Sequence, residues 1–117
     1  MSNNYLDQAA LDELNEVTGG DPEFMAELVN TFLEDAPVQL QDLRAALSGG
    51  DAGEVRRIAH GLKSNGMDFG AAAFADMCKT LEFNAANGQL GDADALLTDI
   101  ENEFTRVRDA LEAYVGG

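Results

Sequence analysis

The chain has 117 residues and a formal net charge of −15, from 22 acidic and seven basic residues. Its length and its hydrophobic content of 45% predict one globular domain over residues 1–117. A sequence pI near 4.1 argues against binding to nucleic acid or to an anionic membrane, because both require a cationic surface. The high net charge also favours a soluble monomer.

The composition predicts a cytoplasmic protein. The single cysteine, Cys78, excludes an intramolecular disulfide, which fits a reducing compartment. The first residues, Met1–Asn4, lack the basic and apolar regions of a signal peptide. The apolar runs are far shorter than the roughly 18 residues that a membrane-spanning helix requires.

A short first helix is predicted over about residues 5–18. Gly19 and Gly20 are expected to end it, because glycine readily adopts the left-handed conformation that follows a helix. Four apolar side chains should form its buried face: Leu6, Ala10, Leu14 and Val17.

A long second helix is predicted from Pro22 to the glycines at 49–50. Asp21 is suited to the N-cap, and proline is tolerated at the first helical position. Pro37 should kink the helix near residues 33–36 because it removes a backbone hydrogen bond, and two helices broken at Pro37 are the alternative. The predicted buried face consists of Phe24, Leu28, Phe32, Leu40, Leu43 and Leu47.

Three further helices are predicted, with no sheet, because no stretch shows sustained period-two alternation. The third runs from the N-cap Asp51 to about residue 68, the fourth over residues 71–86, and the fifth from about residue 92 to 115. Long helices joined by short glycine turns predict an all-α fold. We expect an antiparallel up-down four-helix bundle at about residues 21–115, with the short additional N-terminal helix across one end.

The third helix carries His60, the only histidine in the sequence. At about 100° per residue, four apolar positions of this helix fall within roughly 100° of a helical wheel: Val55, Ile58, Ala59 and Leu62. His60 lies roughly 140° from the centre of that arc, close to Arg56 and Lys63. The pattern therefore predicts an exposed imidazole among cations, although the wheel alone leaves a chance surface histidine as an alternative.

One segment resembles the phosphorylation-site helix of histidine-containing phosphotransfer (HPt) domains: Ala59-His60-Gly61-Leu62-Lys63-Ser64-Asn65, followed by Phe69-Gly70-Ala71. A later segment resembles the family's next helix: Cys78-Lys79-Thr80-Leu81-Glu82. In helix pattern the resemblance covers residues 21–115. Many HPt domains have glycine directly after the lysine, where this chain has Ser64.

The resemblance implies a phosphorelay intermediate with no kinase activity of its own. His60 would accept a phosphoryl group on Nε2 from the aspartyl phosphate of a receiver domain, within a relay that includes a hybrid histidine kinase. It would then pass the group to another response-regulator receiver. Mg²⁺ is expected in the partner receiver, and no cofactor or metal in this chain, where one histidine and one cysteine on different faces form no ligand set. The alternative is a non-phosphorylated helical-bundle scaffold.

Three residues are predicted to carry the chemistry at this site. An exposed neutral imidazole with cations nearby meets the requirements of nucleophilic phosphoryl transfer. Lys63, at i+3 from His60, should reach the phosphoryl oxygens, and Arg56 is the weaker candidate for that contact. Helix geometry predicts that the Glu82 carboxylate accepts a hydrogen bond from Nδ1 of His60. The alternative is a solvated glutamate paired with Lys79 or Lys63.

Partner binding is expected on the face of His60. Gly61 has no side chain, so nothing protrudes from the helix beside the imidazole at this position. Ser64 should lie within the contact. Met67 is interpreted either as an apolar partner contact or as the edge of the core. The resemblance adds the first helix and segment 32–37 to the docking surface, including Phe32.

Overall fold

The computed structural model describes residues 6–116, which form five α-helices and no strand. Helix α1 spans Gln8–Val17, α2 spans Pro22–Ser48, and α3 spans Ala52–Asp68. Helix α4 spans Ala72–Ala86 and α5 spans Ala93–Gly116. The all-α class is confirmed. The predicted start of the first helix, at residue 5, lies outside the described residues.

Aspartates cap the first three helices. The Oδ1 atoms of Asp7, Asp21 and Asp51 accept hydrogen bonds of 3.0, 3.0 and 3.1 Å from backbone N–H groups two or three residues further along. Each cap satisfies one of the N–H groups that have no partner inside the helix. The side-chain chemistry of these aspartates therefore determines where the helices begin.

Helix α2 continues without interruption through Pro37. The alternative of two helices broken at this proline is therefore wrong, and the kink near residues 33–36 stays a prediction. The Pro37 side chain is exposed, and the residue before it, Ala36, is buried. The proline thus sits on the solvent side of the helix, away from the core.

All five helices contribute side chains to one hydrophobic core. Its aromatic centre is Phe32, whose ring stacks on Phe69 at 4.8 Å and meets the rings of Phe74 and Phe104 edge-on at 6.5 and 5.9 Å. Such offset and edge-on arrangements are the favoured geometries for aromatic pairs.

The buried faces of α1 and α2 differ from the predicted ones near the N-terminus. Val17 is 79% exposed and Phe24 is 44% exposed, whereas Leu11 and Met25 are buried in their place. Leu28 is only partly buried, and Val29 beside it is fully buried. Near the N-terminus the buried face is thus displaced by about one residue, because both helices carry apolar side chains on either side of the core face. Further along α2, three residues are buried as predicted: Phe32, Leu40 and Leu43.

Helix α2 packs against α3 and α5, and α4 also packs against α3 and α5, while α1 packs against α3. The contact between α3 and α4 is close at Gly66, where an added Cβ would lie 2.8 Å from the ring of Phe74. A second close approach joins α1 to the turn between these helices, since the backbone N–H of Asp7 donates to the carbonyl of Gly70 at 2.6 Å. Among the helices of residues 6–116, none has the length and apolar character needed to cross a bilayer.

Candidate functional site

His60 lies on the solvent-facing side of α3. Its side chain is 60% exposed, whereas its neighbours Ala59 and Leu62 are fully buried. The core face of α3 consists of Val55, Ile58, Ala59, Leu62 and Gly66. The apolar stripe of this helix faces inward, as the helical wheel predicts, and the predicted exposure of the imidazole is confirmed.

Glu82, on α4, holds the imidazole from one side. Its Oε2 lies 2.8 Å from Nδ1 of His60, and the glutamate side chain is only 19% exposed. An ionised carboxylate can only accept hydrogen bonds, so Nδ1 carries the proton in this contact; in the neutral imidazole, Nε2 then has the lone pair. The predicted hydrogen bond between helices is confirmed, and it leaves Nε2 as the ring nitrogen available for chemistry.

The same carboxylate also contacts Lys63, whose Nζ lies 2.8 Å from Oε1 of Glu82. Hydrogen bonding to Lys63 is the main cause of a lowered Glu82 pKa; burial opposes this effect, and the hydrogen bond to His60 adds to it. Glu82 is therefore ionised at neutral pH. The sequence predicts that Lys63 reaches phosphoryl oxygens; in the structure its ammonium group contacts Glu82.

A solvent-open cavity of about 300 Å³ adjoins the imidazole. Two arginines reach it, and they differ in their ion pairs. Arg57 binds Glu54 through Nε and Nη2 at 2.8 and 2.6 Å. Within residues 6–116, Arg56 makes no ion pair and stays exposed. The cavity is lined by Gly53, Arg56, Arg57, His60 and Glu82.

Three of the four remaining predicted contact residues are accessible. Ser64 is exposed and Met67 is 60% exposed, so Met67 is not a core residue. A Cβ added to Gly61 would meet nothing within 4 Å, which leaves open space next to His60. The prediction of a partner contact at Phe32 is wrong. Phe32 is only 5% exposed and stacks on Phe69, so its ring packs in the core and is not presented to a partner.

The sequence predicts no partner contact at two exposed residues near the site, and it gives Lys79 only as an alternative ion-pair partner of Glu82. Phe83 is 66% exposed and Lys79 is exposed, and both line a second cavity of about 260 Å³ between α3 and α4. A helical wheel contains the necessary signal, because Phe83 lies about 200° from the buried Leu81. An aromatic residue on the polar side of an amphipathic helix indicates that the side chain is exposed.

Cys78 is buried, and burial raises the pKa of its thiol to about 12. The thiol is therefore protonated at neutral pH and packs as a small apolar group. No cluster of three or more potential metal-ligating side chains occurs in the part of the chain that the structure describes.

Comparison with known proteins agrees with this fold and site. The model of the Hpt domain family matches residues 27–110. The crystal structure of histidine-containing phosphotransfer protein B (HptB) from Pseudomonas aeruginosa is similar, with a TM-score of 0.90 and 36% sequence identity over 98% of this chain and 97% of that chain. A search of curated proteins gives no significant match.

The chain therefore belongs to the Hpt domain family. Proteins of this family are phosphocarriers rather than enzymes, and they function with receiver domains and histidine kinases in two-component systems. Family membership and the similarity to HptB support a histidine phosphotransfer role in a phosphorelay.

Proposed function

We propose that this protein is a phosphorelay intermediate that accepts a phosphoryl group on His60 from a receiver aspartyl phosphate and passes it to another receiver. A hybrid histidine kinase would supply the group. The observation that carries the proposal is the 60% exposed imidazole whose Nδ1 is bound to Glu82, leaving Nε2 free. Membership of the Hpt family supports the same assignment.

The proposed fold is a single domain in which α2–α5 form an antiparallel up-down bundle. The contacts of α2 with α3, α3 with α4, α4 with α5, and α5 with α2 close a ring, as a four-helix bundle requires. Short turns join these helices, which favours antiparallel neighbours. In such a bundle, His60 and Glu82 face each other across one pair of neighbouring helices.

In the proposed step, the Nε2 lone pair of His60 attacks the phosphorus of the aspartyl phosphate. The N–P bond forms while the bond from phosphorus to the aspartyl oxygen breaks, and the receiver carboxylate leaves with that electron pair. The imidazole becomes positively charged, and Nδ1–H continues to donate to Glu82, which stabilises this charge. Transfer to the next receiver is the reverse step with a new aspartate.

The cations around the imidazole would have different parts in this reaction. Lys63 keeps the Glu82 carboxylate ionised and fixed through its 2.8 Å contact. Arg56 borders the cavity beside His60 and has no ion pair in residues 6–116, so we assign it to the phosphoryl oxygens. Mg²⁺ in the receiver would neutralise most of the charge on the transferred group.

Receivers would dock around His60, over the open space at Gly61 and the exposed side chains of Ser64 and Met67. Ser64→Tyr adds a bulky ring to this surface and should block transfer while the protein stays folded. Ser48→Tyr, at the exposed end of α2, is the matched control and should transfer normally. Normal transfer by Ser64→Tyr would mean that the receiver approaches from another side.

The deciding experiment offers the protein a panel of phosphorylated receiver domains and follows the label. Label should move to this protein and be lost in acid but kept in base, as phosphoramidates behave. His60→Gln should take no label and should unfold at the same temperature, since the exposed side chain contributes within about 0.5 kcal/mol. Label that persists in His60→Gln would refute the assignment, and no label in the wild type from any receiver would favour a scaffold.

A further inference from the structure

Five of the seven basic residues of this acidic chain are bound in ion pairs. The two others, Arg56 and Lys79, form no ion pair with any residue between positions 6 and 116, and both are exposed. Both line one groove between α3 and α4. The uncompensated positive charge of the described chain is therefore concentrated at a single place. The five paired residues are Arg44, Arg57, Lys63, Arg106 and Arg108.

Phe83 lies in the same groove, with 66% of its surface exposed. A single exposed apolar side chain is ordinary on a protein surface and by itself indicates nothing. Here the ring is one helical turn from Lys79 and shares a cavity with Arg56. We use the term α4 patch for the exposed surface of Lys79, Phe83 and Ala86, with Arg56 on its α3 side.

The α4 patch is continuous with the site of His60. Glu82 bonds to His60 at 2.8 Å and is followed directly by Phe83, and Arg56 lines both cavities. One turn of helix rises about 5.4 Å, so the patch lies within one turn of Glu82. A small transient interface covers about 600 Å² of each partner, equivalent to a disc of about 14 Å radius. A partner that brings a reacting group to His60 therefore meets the α4 patch.

We propose that the α4 patch is a receiver-selecting contact that binds an acidic surface carrying an apolar side chain on the receiver. This inference rests on the proposed function, because the partner that must reach His60 is a receiver. Charge complementarity favours an acidic partner surface: a chain of net charge −15 repels such a surface elsewhere, and the two cations that have no ion pair within residues 6–116 are here.

The two side chains of the patch have separable effects on docking. Lys79 attracts an acidic surface electrostatically, and salt screens this attraction. The contribution of Lys79 to docking affinity therefore falls as ionic strength rises. Phe83 gains contact area only once an apolar partner group covers it, so its contribution persists in salt. Neither side chain contacts His60, so both should affect the affinity of docking and not the transfer step itself.

The experiment compares Phe83→Ala and Lys79→Ala with the wild type, using the receiver that transfers label fastest. Transfer rates are measured over a range of receiver concentrations. Phe83→Ala should raise the concentration for half-maximal rate roughly fivefold or more and leave the maximal rate unchanged. Lys79→Ala should have a smaller effect that disappears at high salt. The Lys79→Ala penalty should be largest for receivers with an acidic docking surface, and the Phe83→Ala penalty for receivers whose docking surface carries an exposed apolar side chain.

Matched controls separate docking from general damage. Phe24→Ala removes an exposed aromatic ring from the first turn of α2, and Arg108→Ala removes a cation from α5. Both should behave as wild type. The inference is overturned if Phe83→Ala matches Phe24→Ala, if its maximal rate falls with no change in half-saturation, or if all receivers are affected equally. Failure of the wild type to take any label overturns the proposed function instead, which is a distinguishable result.

Discussion

Two glycines of α3, Gly61 and Gly66, should respond in opposite directions to the same substitution. An added Cβ at Gly61 would meet nothing within 4 Å. At Gly66 it would lie 2.8 Å from Cδ2 and 3.4 Å from Cε2 of Phe74. The Phe74 ring is fully buried and packs against Phe104 at 5.9 Å, so it has little room to move.

The size of each effect follows from these contacts. Alanine is preferred over glycine inside a helix by about 1 kcal/mol, and Gly61→Ala should keep this gain. Gly66→Ala has the same gain, but overpacking of a tight core costs about 1–3 kcal/mol, so a net loss of about 1 kcal/mol is expected. An unfolding entropy of about 2.1 cal/mol/K per residue over 117 residues converts 1 kcal/mol into about 4 °C. Gly61→Ala should therefore raise Tm by about 4 °C, and Gly66→Ala should lower it by a similar amount.

Thermal unfolding followed by far-UV circular dichroism measures both shifts. Receiver transfer by Gly61→Ala provides a second readout, because the added methyl group lies beside His60 and should slow docking in a more stable protein. Equal shifts of Tm for the two variants would refute the reasoning, since helix propensity alone would then account for both. A stabilised Gly66→Ala would show that the Phe74 ring relaxes without cost.

Three further predictions concern charge, backbone and burial. Because folding lowers the pKa of Glu82, the ionised carboxylate stabilises the fold at pH values above the pKa of the unfolded chain, near 4.3. This contribution is lost as the pH falls through the lower pKa of the folded state. Lys63→Met should therefore reduce the free energy of unfolding at pH 7 by about 1 kcal/mol, which lowers Tm by about 4 °C. The difference in Tm from the wild type should shrink below about pH 4. Gly70→Ala should lower Tm by more than 4 °C, because φ is +75° and the added Cβ would lie 2.6 Å from the Asp7 carbonyl oxygen. Cys78, with its pKa raised to about 12, should react with a thiol reagent at pH 8 only after denaturant is added.

The helix boundaries and the face of the histidine could be predicted from the sequence because both depend on local signals. Asp21 and Asp51 cap helices where the pattern placed them. Gly50 and Gly70 adopt positive φ values of 68° and 75° where helices were predicted to end. The apolar stripe of α3 was clear enough to place His60 on the opposite side.

The remaining features depend on packing between helices, which periodicity does not determine. The sequence allowed Glu82 to bind either His60 or a lysine, and its two oxygens contact His60 and Lys63 together. Phe32 belongs to an apolar stripe that the sequence already contained, and the resemblance misassigned it to the surface. The position of Phe83 opposite Leu81 predicts its exposure, but periodicity does not show that Lys79 and Arg56 lie in the same groove.

The sparse attachment of α1 has a consequence for local opening. Leu11 is the only residue of this helix that is fully removed from solvent, and the hydrogen bond from Asp7 to Gly70 holds its first turn. Amide hydrogen exchange in native proteins reports separate cooperative units, and units with few buried contacts open at low free energy. The amides of α1 should thus exchange by a local opening, and those of α3 and α4 by global unfolding. His60 and Glu82 both lie outside α1, so the imidazole would keep its orientation while the first helix opens.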